Sequence, residues 1–328
     1  MQYRKLGKSD LKISEISLGT WQVGGVWGSD FDEKNAEAIL HKAIDLGINF
    51  IDTADVYSNG LSEKVVSKVI KSRTENIIVA TKCGRRLSPH TADGYNKKSI
   101  THFVEDSLRN MSIDTIDLIQ LHCPPTEVYA KDEVFETLEQ LKASGKIRFY
   151  GASVEKVEEA MKAITYPHLV SIQIIFNMFR LKPAEVFFDA AKQSDVGIIV
   201  RVPLASGLLS GNYTKNTHFG EKDHRTFNRE GKFFDKGETF SGIPFEAGLE
   251  AVEELKNIFG GDYTLATYAL RWVLMFEQVS CVIPGASSPH QVEKNVAATL
   301  LSPLSNEQMH AVKDIYDKYF RTSIHQLW

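Results

Sequence analysis

Cysteine is scarce in this chain of 328 residues: only Cys83, Cys123 and Cys281, with no C-x-x-C pair. An odd three cannot make a disulfide framework, so they are expected as small buried residues of a protein in the reducing cytoplasm. A basic excess is also missing. The 38 Lys and Arg stand against 42 Asp and Glu, a formal charge of −4, which argues against a general nucleic-acid binder. The most apolar segment, residues 263–276, is broken by Thr264, Thr267 and Arg271 and falls short of the about 20 residues a membrane span needs. Residues 1–8 hold basic side chains with no apolar stretch behind them, so no signal peptide is expected. G-x-G-x-x-G occurs nowhere, which removes the fingerprint of a doubly wound dinucleotide-binding sheet. No His, Cys or carboxylate group shows ligand spacing, and no metal is expected.

What is present is an alternation. Short β-branched runs begin near Glu15, Ile48, Asn76, Ile116, Lys146, Val170, Gly197 and Val279. Amphipathic segments separate them, including 33–46, 62–71 and 132–143. In the first of these Ala36, Ile39, Leu40 and Ala43 make one apolar stripe, the i, i+3, i+4, i+7 pattern of a half-buried helix. Eight strand–helix units mean a parallel sheet. With no dinucleotide fingerprint, they predict an α/β fold, a (β/α)8 TIM barrel in one domain spanning 1–328. Ahead of the first unit, residues 3–6 and 12–14 flank the turn-rich Gly7-Lys8-Ser9-Asp10 and read as a β-hairpin able to plug the barrel's bottom.

The spacing of about 80 residues before the last strand leaves a long loop after strand seven. Residues 211–248 hold one Ile, no Leu and no Val, but six Gly and six Phe. A loop of this length inside a compact domain is usually functional, here a lid-like insertion. A helix is expected to resume over 263–275.

Polar residues at the C-terminal ends of barrel strands face the catalytic mouth. The second strand ends in Asp52 and runs on to Tyr57, the third ends in Lys82 and the fourth in His122. Lys82 between Asp52 and Tyr57 would stay charged, and its field would pull the tyrosine below its usual pKa of about 10. A phenol so tuned exchanges a proton near neutral pH, and His122 can orient a carbonyl oxygen beside it. Taken singly, Asp52 can be a helix cap, His122 a core histidine, Tyr57 loop packing and Lys82 a solvated charge. Four complementary types at three successive strand ends are harder to reach by accident.

The run Gly47-Ile48-Asn49-Phe50-Ile51-Asp52-Thr53-Ala54-Asp55-Val56-Tyr57 resembles the aldo-keto reductase signature. The likeness extends through Val79-Ala80-Thr81-Lys82, residues 116–122, Gly151-Ala152-Ser153, residues 202–211, Ala269-Leu270-Arg271-Trp272 and Val282-Ile283-Pro284-Gly285-Ala286. It is most similar to a bacterial branch related to potassium-channel β-subunits. The resemblance implies reduction of aldehydes or ketones with NADP(H), Tyr57 being the general acid, Lys82 and Asp52 its tuning pair and His122 the carbonyl-orienting group. It also implies a cofactor path over Thr20, Trp21 and Asp52. Ser153 and Gln173 would hold the carboxamide; Arg201, Pro203, Leu204, Ser206, Gly207, Leu208 and Ser210 would line the nicotinamide and pyrophosphate. Gly285, Ser287, Gln291 and Asn295 would take the adenosine-phosphate end, near a helix N-terminus.

The chain departs from that pattern in three places. Val154 follows Ser153 where the family often has Asn. Arg201 stands where an aromatic commonly stacks on the nicotinamide, either stacking itself or pairing with an acidic neighbour. Ser287-Ser288 occupy the place of the Lys or Arg that grips the 2′-phosphate, which leaves NAD(H) open. Trp21 and Trp27 can line a substrate pocket, and Arg85, Arg86 and His90 either meet an anionic substrate or form a solvated loop face. Two other functions stay open at this point: an NADP(H)-binding redox sensor or regulatory subunit, and a Schiff-base aldolase using Lys82. The expected partner is a small carbonyl compound, with no nucleic acid and no membrane. Substrate and oligomeric state are not written in the sequence, though a monomer is compatible with it.

Overall fold

A computed structural model of the chain describes residues 1–25 and 30–328. A hairpin of β1 (Tyr3–Lys5) and β2 (Lys12–Ser14) opens it, paired antiparallel. Eight parallel strands follow: β3 (Leu18–Gly19), β4 (Phe50–Asp52), β5 (Ile78–Cys83), β6 (Ile116–His122), β7 (Ile147–Ser153), β8 (Ser171–Ile175), β9 (Gly197–Arg201) and β10 (Val279–Val282). Each pairs with its sequence neighbour. Parallel bridges from Ile16 to Val282 and from Gly19 to Gly285 join the last strand to the first, so the sheet is a closed (β/α)8 barrel. The first run, read as a strand from Glu15, shrinks to Leu18–Gly19 because Glu15 N donates to the Gln2 carbonyl of the hairpin and Ile16 makes only an isolated bridge to Val282.

The period of two along each strand writes a polarity gradient into the barrel. Phe50 and Asp52, Ile78, Ala80 and Lys82, and Leu118, Gln120 and His122 point inward in turn. The lower members form an apolar cluster with Ile199 and Cys281, and the upper members are the polar side chains of the mouth. Leu6, Leu11 and Ile13 of the hairpin join that cluster from below, so the hairpin does plug the bottom. Gly7 (φ +50°) approaches Val170, Asp195 and Gly197 so closely that a Cβ there would overlap their backbone.

Outward-facing strand residues pack beneath the helices in a second, larger apolar shell. Helices begin where capping chemistry allows. Asp32 caps α1 (Glu33–Asp45), and Asn96 and Ser99 form a capping box on α3 (Lys97–Met111). The intervening α2 spans Leu61–Lys71, close to the reading of 62–71, and α4 spans Asp132–Ala143 as read. The helices α5 (Val157–Ala163) and α6 (Phe188–Gln193) follow β7 and β8.

The segment 211–248 is more ordered than its composition suggested. It contains a short helix, α7 (His224–Phe227), and two 3-10 turns, and its last residues already belong to α8 (Phe245–Phe259). Its phenylalanines explain the missing Leu and Val by packing on one another. Phe219 lies 5.8 Å from Phe240, which lies 5.1 Å from Phe245, with the Arg225 guanidinium 4.5 Å over Phe219. The helix read from Tyr263 is α9 (Leu265–Leu274), started by a Thr264 cap. After β10 come α10 (Pro289–Val296), α11 (Asn306–Tyr319) and α12 (Arg321–Ile324). Among the described residues no helix is long and apolar enough to cross a membrane, and all three cysteines are buried.

Candidate active site

Asp52 and His122 end β4 and β6, and Lys82 is the last residue but one of β5. Tyr57 opens the tight turn that leads into α2, where Ser58 and Asn59 adopt left-handed backbone (φ 46° and 53°). The four side chains meet as the sequence predicted. Lys82 Nζ donates to Asp52 Oδ1 and, at 2.9 Å, to the Thr53 carbonyl; it stands 3.3 Å from Tyr57 Oη. The His122 ring lies edge-on to Tyr57 with centroids 6.0 Å apart. Gln120 and Gln173 donate to the other Asp52 oxygen at 3.0 and 2.8 Å. The buried carboxylate is therefore held by three donors and can face only one way.

Burial works against the Lys82 ammonium, but the neighbouring Asp52 and Tyr57 together outweigh it and hold Lys82 above its ordinary range. The pairing favours the ammonium over the free amine that a Schiff-base aldolase needs. Tyr57 corrects the sequence reading. Burial raises its pKa, and although Lys82 pulls it down as expected, the net direction is upward, with Asp52 adding to the rise. The phenol thus rests protonated, and Lys82 acts by lowering the cost of the phenolate that forms when the proton leaves. His122 is driven well below its usual range by burial first and then by the charges of Arg85, Lys82 and Arg201, so its imidazole is neutral.

The other predicted residues separate by role. Ser153, the last residue of β7, has its Oγ 3.3 Å from Oε1 of Gln173, its partner midway along β8, beside the Asp52 cluster. Residues 205–210 form a 3-10 turn entered through left-handed Val202, Ala205 and Ser206, with Gly207 at φ 94°. Pro203 and Leu204 precede it, and Leu208 and Ser210 lie on it. Ser206 Oγ donates to the Glu238 carbonyl at 3.1 Å and accepts from Phe240 N at 3.0 Å. At the N-terminus of α10, Gln291 Oε1 accepts from Ser287 N and Oγ (2.8 and 3.1 Å), and Asn295 reaches the Gly285 carbonyl at 3.2 Å. These groups fit a nicotinamide dinucleotide: an amide-matching pair at Ser153 and Gln173, then a turn, then polar side chains at a helix start. Thr20 is fully buried, its hydroxyl committed to the Asp52 carbonyl and to Ser62. Trp21 stands at the rim, 5.8 Å from Tyr57. Trp27 lies outside the described residues.

Arg201 takes the second of its two expected roles. It pairs with Glu155 at 2.8 Å, donates to the Val154 carbonyl at 3.0 Å, and lies 3.7 Å from Glu238. Arg85, read with Arg86 and His90 as a candidate anion contact or solvated loop face, is largely buried instead. It donates to Glu238 at 2.6 Å, and its Nη1 is 3.4 Å from His122 Nε2. Arg86 pairs with Asp106, and His90 bonds the Tyr95 hydroxyl. Sequence reading missed Gln120, Glu155, Glu238 and Phe234. Gln120 was within reach, since it shares the inward face with His122 two residues on. The acidic pair was not, because Glu238 lies 153 residues from the arginine it holds.

Comparison with known proteins agrees with this fold. Residues 15–317 match the aldo/keto reductase family. An uncharacterised oxidoreductase of Bacillus subtilis is 32% identical over 96% of this chain and 98% of its own length. The NADH-specific methylglyoxal reductase of Escherichia coli is 29% identical over 89% and 92% of the two chains. The holo form of an aldo-keto reductase from Bacillus halodurans superposes with a TM-score of 0.77 at 31% identity, covering 96% of each chain.

Proposed function

The chain belongs to the aldo/keto reductase family, oxidoreductases of carbonyl compounds that use a nicotinamide cofactor, and from that premise we propose that it reduces aldehydes or ketones to alcohols with Tyr57 as the acid. The observation that carries this reading is the placement of Tyr57 Oη 3.3 Å from a buried, Asp52-paired ammonium and beside a neutral imidazole. The bound cofactor supplies the hydride. As negative charge develops on the carbonyl oxygen, Tyr57 gives up its proton to that oxygen, and Lys82 stabilises the phenolate left behind. Asp52, fixed by Gln120 and Gln173, keeps Lys82 protonated through the cycle. His122 turns an imidazole edge toward the same oxygen and orients it.

Ser153 and Gln173 would hold the carboxamide, the 205–210 turn the pyrophosphate, and Ser287, Gln291 and Asn295 the adenosine end. NADPH is the expected donor. With hydroxyls where the family has a cation, its preference over NADH is weak, and the relative in Escherichia coli carries NADH in its name. The 211–248 segment packs His224 and Phe234 against Trp21 at 5.7 and 5.9 Å, consistent with a cover over the mouth that excludes water.

The test is loss of nicotinamide absorbance when purified protein meets a panel of short aldehydes, with NADPH and NADH in parallel. Turnover with both donors, differing by less than about tenfold in kcat/KM, is expected. No turnover with either donor across the panel contradicts the reading.

A further inference from the structure

The mouth is walled by a closed ring of five side chains. Trp21 lies 5.8 Å from Tyr57 and Tyr57 6.0 Å from His122 between centroids. Arg85 Nη1 is 3.4 Å from His122 Nε2, its guanidinium is 5.6 Å over Phe234, and Phe234 is 5.9 Å from Trp21. Three members are uncharged aromatics and the fourth is a neutral imidazole. Arg85 is the one permanent charge in the ring. A carbonyl oxygen that accepts from both Tyr57 Oη and a His122 Nε2 that carries the ring proton lies about 3 Å from each, and Arg85 Nη1, 3.4 Å from that same Nε2, borders the position. A second oxygen on the neighbouring carbon of the substrate would fall at the guanidinium, whose planar fork matches a carboxylate.

We propose that Arg85 anchors the substrate and selects carbonyl compounds with a carboxylate on the adjacent carbon, the 2-oxo acids, Glu238 serving as its counter-ion while the site is empty of substrate. This rests on the reductase reading and names the substrate class for the same site. Arg85 and Arg201 share the Glu238 carboxylate at 2.6 and 3.7 Å, while Arg201 also takes Glu155 at 2.8 Å. Burial and the neighbouring Glu238 charge push Glu155 upward, whereas the two arginines draw Glu238 down against its own burial. Glu238 thus lies within reach of two guanidiniums, at 2.6 Å from Arg85 and 3.7 Å from Arg201, so an incoming anion can take its place at Arg85. Glu238 belongs to the 211–248 segment, so the residue that yields to substrate also ties that segment to the mouth. The chemistry is unchanged: the carbonyl becomes a secondary alcohol, with Tyr57 giving the proton and the cofactor the hydride.

Pyruvate and methyl pyruvate present one ketone with and without the charge. We compare their kcat/KM ratio in the wild type, R85Q, R85K and E238Q, together with calorimetric binding of oxamate to the protein–nicotinamide complex. The ratio is expected to fall at least about tenfold in R85Q, the low end of what a charged hydrogen bond contributes, and to recover in part in R85K. Oxamate should bind at least about tenfold more weakly to R85Q and more tightly to E238Q, where the internal competitor has lost its charge. A ratio and an oxamate affinity that R85Q leaves within threefold overturn the proposal, as does a wild type that reduces methyl pyruvate but neither reduces pyruvate nor binds oxamate. If neither ester nor acid is reduced while oxamate binding still depends on Arg85, the anion site stands and the reductase reading falls.

Discussion

Asp55 follows the β4 strand end by three residues, and it is buried with Glu63 nearby. Burial, with the Glu63 charge added, pushes its carboxyl up to about 7 from an ordinary 3.8. The linkage has a definite sign. Between about pH 4 and 7 the folded chain keeps a proton that the unfolded chain has lost, so this group makes stability fall as pH rises through that window and level off above it. Asp55→Asn removes the ionisable group. It is expected to raise the urea midpoint at pH 8 relative to the parent and to flatten the change between pH 5 and 8; a variant that is less stable at pH 8 contradicts the assignment. Lys82 gives the opposite case. Lys82→Met strands a buried Asp52 carboxylate on its two glutamine donors alone, and removing one partner of such a pair costs about 3–5 kcal/mol. Denaturant unfolding should show a loss of that order together with loss of turnover, and an unchanged midpoint would mean the pair carries no charge in the folded state.

Among the elements, the 211–248 segment is held from three sides. Ser206 clamps its backbone at Glu238 and Phe240, and Asn177 donates to Ser241 at 2.7 Å. Trp328 donates to Asp235 at 2.7 Å while the Arg180 guanidinium sits 4.6 Å over its ring. Gly242 (φ +78°) passes so close to that indole that no side chain fits between them. Truncating a buried aromatic of this size costs about 3–5 kcal/mol when the site does not collapse. In Trp328→Ala much of that loss should appear locally, as faster limited proteolysis within 211–248 while the barrel strands stay protected in hydrogen exchange. Cleavage no faster than in the parent would show that the other two attachments suffice.

At the scale of the molecule, the barrel organises one gradient, apolar where the hairpin seals it and polar where β4 to β8 end. That gradient was legible in the sequence because period-two alternation is local: Phe50 before Asp52, Ala80 before Lys82, Leu118 before His122. The same alternation contained Gln120, which went unread because an amide between two apolar residues carries no signal of its own. The acidic half of the mouth could not be read at all. Arg85, Glu155, Arg201 and Glu238 come from four separate loops or strand ends, and only the closed fold makes them neighbours. Tyr57 reaches the strand-end cluster as read while the direction of its pKa differs, since its burial depends on packing that includes Trp21, 36 residues away, which the closed fold alone supplies. The central claim is that Tyr57 supplies the proton, and Tyr57→Phe tests it by removing one oxygen. Steady-state reduction of an aldehyde should fall by about 10²- to 10⁴-fold, the range for loss of a general acid, while nicotinamide binding measured by fluorescence titration stays within a few-fold of the parent. Full turnover in the variant would contradict the account.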